Sequence, residues 1–268
     1  RPRPDVSQAV DEALRLAASA VAQGAKVLFL PEYCGGLKSR GAALDPPAEQ
    51  EADHAFLAQF QQFARENSTW IMLGSIAVKS ADKIVNRGYL LGPDGQIFDN
   101  YDKIHMFDVV LSETEVYRES AQVSPGSTAV IHDTPIGKIG HTICYDLRFP
   151  QFYRDYAKDG ATLLFVPSAF TVATGRAHWQ VLLRARAIEN GAFVVASAQT
   201  GKHDDGRETY GHSMVVDPWG RVLCNMRKSV GIRQVTLDIS KVADARAMIP
   251  SLKNERVYKR RMTPKLDA

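Results

Sequence analysis

Long apolar runs, a cysteine framework and a charge excess are all missing from this sequence of 268 residues. No apolar run approaches the roughly 18 residues of a membrane helix, so we expect neither a membrane span nor a membrane partner. The net charge is only +3, and the scattered basic residues argue against a nucleic-acid partner. The cysteines at positions 34, 144 and 224 have no metal-ligand spacing, and their odd number argues against disulfides. We therefore expect no metal site and a reducing, cytoplasmic location.

Flexible linkers are missing as well, because no stretch rich in glycine or serine interrupts the chain. Residues 1–268 are therefore predicted to form one domain. Hydrophobic residues make up 45% of the chain and charged residues 24%. These fractions exclude a disordered or fibrous protein and allow a large core.

Helical and strand patterns alternate along the chain, which predicts an α/β fold. Asp5 and Gly24 bound a helix whose apolar positions recur every three or four residues. Continuous apolar runs predict buried strands, and turn residues between shorter runs predict hairpins. The predicted strands are AKVLFLPE, WIMLGSIAV, ATLLFVPSAF, AFVVASAQ and a final GIRQVTLDI, which leads into a short helix ending before Pro250. The predicted hairpins are GYLLGPDGQIFDNY, STAVIHDTPIGKIGHTIC and GHSMVVDPWGRVLCNM.

Two segments of the sequence resemble each other. GAKVLFLPE (24–32) and GATLLFVPS (160–168) share Gly-Ala, Leu-Phe and Pro in the same frame, and each follows a predicted helix. This similarity indicates two related halves, each contributing helices and a sheet. Two sheets that face each other with helices outside would form a four-layer α-β-β-α sandwich.

Three polar residues with useful chemistry follow predicted strands. Glu32 comes after LFLP, Lys103 after the first hairpin, and Cys144 after GHTI. Taken singly, each has a plain structural interpretation: a surface acid, a solvated cation and a packed thiol. Because reactive groups collect at the carboxyl ends of strands in α/β sheets, the three together also suit acyl transfer from an amide. Such a reaction needs a nucleophile, a base and a cation near the developing negative charge.

FLPE, YDKIHMFD and CYDLRFP resemble the three signature segments of the nitrilase superfamily, the carbon–nitrogen hydrolases. The resemblance continues through most of the chain. It implies the four-layer sandwich, a catalytic triad of Glu32, Lys103 and Cys144, and a second acid near the site at Glu119. It also implies a homodimer and a reaction that requires no cofactor.

The residue types of this triad fit the implied reaction. A free thiol has a pKa near 8.5, so a base such as Glu32 must take its proton as Cys144 attacks the amide carbon. Lys103 and the backbone N–H of Tyr145 would hold the oxyanion. Glu32 would then protonate the leaving amine and later activate the water that hydrolyses the thioester on Cys144.

CYDLRFP looks most like the Nit-type amidases, which include omega-amidases and amidases of deaminated glutathione. This resemblance implies a small amide substrate that carries a carboxylate, cleaved to an acid plus ammonia or an amine. An arginine near the thiol would bind that carboxylate. Arg148, Arg207 and Arg256 are the candidates, although each also has an ordinary interpretation as a surface or salt-bridge residue.

Alternatives to an amidase stay open at this point. A nitrilase acting on C≡N or an N-carbamoyl amide hydrolase would use the same superfamily triad, and a catalytically silent binding protein could share the fold. Nitrilases usually have Trp after the cysteine, where this chain has Tyr145. Superfamily members also begin with a strand, whereas only RPRP precedes Asp5 and the first predicted helix; we expect that N-terminal residues are missing.

Overall fold

A computed structural model describes residues 1–40, 43–113 and 115–262 of the chain. The helices in these ranges are α1 (Val6–Ala22), α2 (Ala55–Asn67), α3 (Pro150–Lys158), α4 (Val172–Thr174), α5 (Gln180–Asn190) and α6 (Ser240–Met248). Single 3₁₀ turns cover Glu51–Asp53, Glu119–Ala121 and Cys144–Arg148, and a π-helical turn at Gly175–Trp179 joins α4 to α5. Within the described ranges, no helix combines the length and apolar character that crossing a membrane requires.

The strands of the first half are β1 (Val27–Phe29), β2 (Ser39–Arg40), β3 (Ala43–Leu44), β4 (Ala48–Glu49), β5 (Trp70–Ser80), β6 (Lys83–Leu91), β7 (Ile97–Asp102), β8 (Asp108–Val110) and β9 (Val116–Arg118). The strands of the second half are β10 (Val130–Thr134), β11 (Gly137–His141), β12 (Leu163–Phe165), β13 (Phe193–Ala196), β14 (Thr200–Lys202), β15 (Glu208–Tyr210), β16 (Met214–Val216) and β17 (Val222–Asn225).

Two large sheets form the centre of the fold. The first has the order β1-β5-β6-β7, with β4 pairing along β5, and the second has the order β10-β11-β12-β13-β16-β17. β1 and β5 are parallel, as are β11, β12 and β13. β5, β12 and β13 are buried along most of their length, which explains the uninterrupted apolar runs from which they were predicted. The pairs β2–β3, β8–β9 and β14–β15 are small separate hairpins.

Three apolar clusters define four layers. One cluster packs α1 and α2 against the first sheet and includes Phe56, Phe60 and Ile71. The middle cluster joins the two sheets, since it combines Met72 of the first with Phe165 of the second. The third cluster packs α3 and α5 against the second sheet. The predicted α-β-β-α sandwich is therefore confirmed.

The two similar segments lie in different sheets and meet in the middle of the sandwich. GAKVLFLPE contains β1 of the first sheet, and GATLLFVPS contains β12 of the second. Phe29 and Phe165 occupy the same place in the two segments, and their rings pack edge to face with centroids 5.2 Å apart. Equivalent strands of two related halves thus face each other across the interior.

A buried polar chain also crosses between the sheets. His132 on β10 and His141 on β11 are hydrogen-bonded at 2.9 Å, and His132 lies 3.2 Å from a carboxylate oxygen of Asp99 on β7. Burial lowers the pKa of both histidines, and for His141 the fall is large. The neutral forms therefore belong to the folded state.

Most predicted elements are present. α1 begins after Asp5, whose carboxylate accepts a hydrogen bond of 2.9 Å from the N–H of Gln8, and the chain leaves the helix through Gly24 at φ +88°. All three hairpins and the short helix before Pro250 are confirmed.

The predicted final strand, residues 231–239, is wrong. Half-buried and exposed side chains alternate over most of this segment, as they do in a strand. No described strand forms a hydrogen-bonded ladder with it. The segment instead lines a cavity of about 590 Å³, together with α1 and the outer edge of β1. Among the described strands, β1 pairs only with β5. The alternation of apolar and polar residues predicted the strand, but this pattern cannot show whether a second strand lies alongside to form hydrogen bonds.

Candidate active site

Four side chains singled out in the sequence lie together between the ends of the two sheets: the Glu32 and Glu119 carboxylates, the Lys103 ammonium and the Cys144 thiol. Glu32 lies just beyond β1, Lys103 directly after β7, Cys144 just beyond β11, and Glu119 in the turn after β9. All are buried, with exposed fractions of 2% for Glu32 and Lys103, 5% for Glu119 and 8% for Cys144. Buried charges at this depth need partners.

Lys103 supplies those partners for both carboxylates. Its Nζ donates hydrogen bonds of 2.8 Å to each carboxylate oxygen of Glu119 and one of 3.2 Å to Oε1 of Glu32. Burial opposes the charged ammonium, but the two carboxylates outweigh it and hold the pKa of Lys103 well above its usual value. Lys103 is therefore a permanent cation at the centre of the site.

Glu119 is fixed from two sides. Besides Lys103, it accepts a hydrogen bond of 2.7 Å from the backbone N–H of Phe107. Burial raises the pKa of Glu119, and Lys103 offsets this only in part because Glu32 adds a second negative charge. These contacts suit Glu119 to orienting the ammonium.

Cys144 is held in a conformation that few residues adopt. Its φ is +51°, and its N–H donates to the carbonyl of Pro167 at 2.8 Å. Such left-handed backbone costs free energy and is common at functional sites. Burial, and next the adjacent Glu32 carboxylate, raise the pKa of the thiol well above its usual value, with Glu32 also accepting its hydrogen bond. The resting thiol is protonated and already faces a base.

Asp146 connects the segment that carries Lys103 to the turn that carries Cys144. Oδ1 accepts from the backbone N–H of His105 at 3.1 Å and from its ring Nδ1 at 2.7 Å. Oδ2 accepts from the hydroxyl of Tyr101 at 2.7 Å and from the N–H of Ile143 at 2.8 Å. One buried carboxylate thus fixes the nucleophile relative to the cation.

The three candidate arginines are placed differently. Arg148 lies in the turn that begins at Cys144, with its guanidinium 5.7 Å from the ring centre of Tyr145 and 5.5 Å from that of Phe170. Arg207 is in the turn between β14 and β15 and pairs with Asp205 at 2.9 Å.

Arg256 lies in the exposed segment near the C-terminus, where it donates to the carbonyl of Glu255 at 3.5 Å. In the described part of the chain, none of its hydrogen bonds or ion pairs reaches the four clustered side chains. The structure therefore places Arg148, but not Arg256, in the turn that begins at Cys144.

The geometry is that of a thiol, a carboxylate and an ammonium in one buried cluster. Tyr145 follows the nucleophile at the start of a 3₁₀ turn, where the first N–H groups have no partner within the turn. In the described residues, no group of three or more His, Cys, Asp or Glu side chains is arranged to hold a metal ion. A sequence profile of carbon–nitrogen hydrolases matches residues 1–247.

This chain belongs to the carbon–nitrogen hydrolase family.

Close relatives of this hydrolase carry amidase names. It is 39% identical over 258 residues to a deaminated glutathione amidase of Synechocystis, covering 94% of each chain. The crystal structure of the Caenorhabditis elegans NitFhit protein superposes with a TM-score of 0.87 at 35% identity, covering 95% of this chain and 63% of that one. Saccharomyces cerevisiae Nit3, a member of branch 10 of the nitrilase superfamily, superposes with a TM-score of 0.82 at 26% identity over 96% and 93% of the two chains.

Several residues that contact the site of this hydrolase were not predicted from the sequence. The Asn86 side chain donates to Glu32 Oε1 at 2.9 Å, and the Gln199 side chain donates to the Glu32 carbonyl at 3.1 Å. Both residues are far from Glu32 along the chain, and neither belongs to a recognisable motif. Asp146 was visible only as part of the turn after the nucleophile, since its partners come from another segment.

Proposed function

We propose that this hydrolase cleaves small amides that carry a carboxylate, of the deaminated glutathione or 2-oxo acid omega-amide type, to an acid plus ammonia or an amine. The observation that carries the proposal is the buried contact of Lys103 with both Glu32 and Glu119 beside the Cys144 thiol. The substrate class is supported by the relatives named deaminated glutathione amidase.

Attack on the amide begins from a neutral thiol. Burial and the adjacent Glu32 raise the pKa of the Cys144 thiol, so Glu32 takes the thiol proton as sulfur bonds to the carbonyl carbon. The carbonyl oxygen becomes an oxyanion, which Lys103 and the N–H of Tyr145 stabilise. Losing one such donor typically costs about 100- to 1000-fold in rate.

Glu32 then returns its proton to the nitrogen of the leaving group, and the C–N bond breaks. An acyl thioester remains on Cys144. Glu32 removes a proton from a water molecule, the resulting hydroxide attacks the thioester carbon, and the thiol recovers its proton as the acid leaves. The contact between Asn86 and Glu32 keeps the carboxylate in place for both half-reactions.

Arg148 is the best candidate for the substrate carboxylate. Among the described residues no carboxylate pairs with it, and its guanidinium lies 3.2 Å from the His178 ring nitrogen Nδ1. Arg207 is already neutralised by Asp205. A half-buried guanidinium stacked near aromatic rings and four residues from the nucleophile can form a bidentate pair with a carboxylate.

Release of amine from deaminated glutathione and of ammonia from 2-oxoglutaramate tests the proposal. Cys144→Ala should abolish both activities. Arg148→Met should raise KM for these carboxylate-bearing substrates while leaving the KM of the corresponding methyl ester almost unchanged, and Arg256→Met is the matched control that should change neither. No turnover by the wild-type protein on a panel of such amides would refute the amidase assignment.

The other superfamily reactions are outcomes of the same assay. Parallel turnover of a nitrile, its matching amide and an N-carbamoyl amine would reveal a nitrilase or a carbamoyl hydrolase. A silent binding protein would leave Cys144 no faster to alkylate than Cys34, whose pKa burial raises to about 12.

We also propose that two copies of the hydrolase form a homodimer through an exposed apolar surface on α5 and the loop next to it. This surface consists of Val181, Ile188 and Trp219, which are 67%, 50% and 57% exposed. A hydrogen bond of 2.9 Å from Arg184 to the Gly220 carbonyl holds the Trp219 loop against α5. Light scattering should give a dimer mass for the wild type and a monomer mass for Val181→Asp; a monomeric wild type would contradict the proposal.

A cytoplasmic location belongs to the same proposal. The three cysteines are free thiols in the structure, which suits a reducing compartment. Fractionation of the source cells, with antibody detection of the hydrolase, would test this location.

A further inference from the structure

Tyr33 is a buried residue beside the triad that the proposed reaction does not use. It follows Glu32 directly and is only 2% exposed. Among the described residues, no hydrogen-bond partner lies within reach of its hydroxyl. Buried hydroxyl groups are almost always hydrogen-bonded, so an exception beside reactive groups points to a partner that binds there.

The backbone at Tyr33 is fixed in a costly conformation. Its φ is +50°, in the left-handed region that favours glycine. Its N–H donates to the hydroxyl of Ser75 at 2.9 Å, and the next N–H, of Cys34, donates to the Ser75 carbonyl at the same distance. The fold therefore holds the backbone of Tyr33 in a conformation that costs free energy.

The Tyr33 phenol lies close enough to the reactive cluster to interact with its charged groups. Tyr33 belongs to a small apolar group against which Ala169 packs, and the backbone of Ala169 is hydrogen-bonded to the Cys144 thiol. Burial, and next the Glu119 carboxylate, raise the pKa of the Tyr33 phenol well above its usual value, with further influence from Lys103 and Glu32. The hydroxyl therefore keeps its proton and is available as a neutral donor.

We propose that the Tyr33 hydroxyl is a substrate-binding group that donates a hydrogen bond to an oxygen atom of the amide held at Cys144. This inference rests on the proposed amidase function. An unpaired hydroxyl destabilises the free enzyme and becomes paired only in the complex, so its binding contribution appears in full when the substrate enters.

Tyr33→Phe separates this role from a structural one. Since the hydroxyl has no partner among the described residues, its removal should leave the urea midpoint of unfolding unchanged or higher. kcat/KM for the amide should fall by about 10-fold or more, the loss expected for one buried hydrogen bond. Tyr156→Phe is the matched control, because the Tyr156 hydroxyl donates to the His141 carbonyl at 2.6 Å; it should lower stability and leave kcat/KM nearly unchanged.

Two results would overturn the inference. Unchanged kcat/KM in Tyr33→Phe would show that the hydroxyl does not contact the substrate. A fall in stability equal to that of Tyr156→Phe would show that it has a partner within the protein. Failure of the amidase proposal itself would instead appear as an inactive wild type.

A second measurement does not depend on turnover. The Cys144 alkylation rate is compared for iodoacetamide, which carries an amide oxygen, and 2-iodoethanol, which does not. Tyr33→Phe should slow only the reaction with iodoacetamide, and an equal effect on both reagents would also overturn the inference.

Discussion

Replacing Asp146 by Asn should weaken the fold by an amount that the hydrogen bonds allow us to work out. The carboxylate accepts four hydrogen bonds, two on each oxygen. The Asn side chain keeps one acceptor oxygen, which can still serve two of the four donors. Its NH₂ group cannot accept a hydrogen bond, so the other two donors lose their acceptor. Each buried donor left without an acceptor costs about 1–3 kcal/mol. We therefore expect Asp146→Asn to lower the free energy of unfolding by about 4 kcal/mol.

The same change should impair catalysis, because Asp146 fixes Lys103 relative to Cys144. Urea unfolding at neutral pH gives the stability change, and the melting temperature should fall by roughly 8–16 °C. Tyr101→Phe is the control. It removes one of the four donors to Asp146 and the acceptor of a 3.3 Å hydrogen bond from the N–H of Ile104, and it should cost about 1–2 kcal/mol, less than Asp146→Asn. A loss below about 1 kcal/mol in Asp146→Asn, or wild-type turnover in a variant that is destabilised as expected, would refute the reasoning.

Three further outcomes follow from the site and the core. Cys144→Ala should keep the fold and lose all amidase activity, as judged by circular dichroism together with amine release; residual activity would exclude a thioester. Stability should fall as the pH drops below about 6.5, because burial lowers the folded-state pKa of His132 and His141 and the unfolded chain then binds protons more readily. The slope approaches about 1.4 kcal/mol per pH unit for each histidine, and urea titrations at pH 5 and pH 7.5, with His132→Gln as the control, measure it; an equal slope in that variant would contradict the assignment. Gly74→Ala should greatly reduce kcat, because a Cβ at Gly74 overlaps the carbonyl of Pro31 next to Glu32; wild-type kcat in this variant would show that the backbone yields without cost.

Local patterns predicted the parts of this fold that depend on neighbouring residues. The Asp5 cap, the hairpin turns and the buried strands follow from side-chain spacing within a few residues. The similarity of the segments around Phe29 and Phe165 even indicated two facing sheets. The final strand was wrong because alternation says which face is buried but not whether a second strand lies alongside.

The sequence indicated which side chains could lie together at the candidate site, but not the contacts that connect them. Strand ends and motif resemblance identified Glu32, Lys103 and Cys144. The hydrogen bonds of Asp146 and the burial of the Tyr33 hydroxyl depend on contacts between distant segments, and no local spacing encodes them. The choice among three arginines likewise needed the positions of their partners.

Peroxide reacts with thiolates far faster than with thiols, and the first product is a sulfenic acid. Burial and Glu32 raise the pKa of the Cys144 thiol, so the resting side chain carries its proton. The nucleophile of this hydrolase should therefore survive oxidative stress that inactivates enzymes with a preformed thiolate.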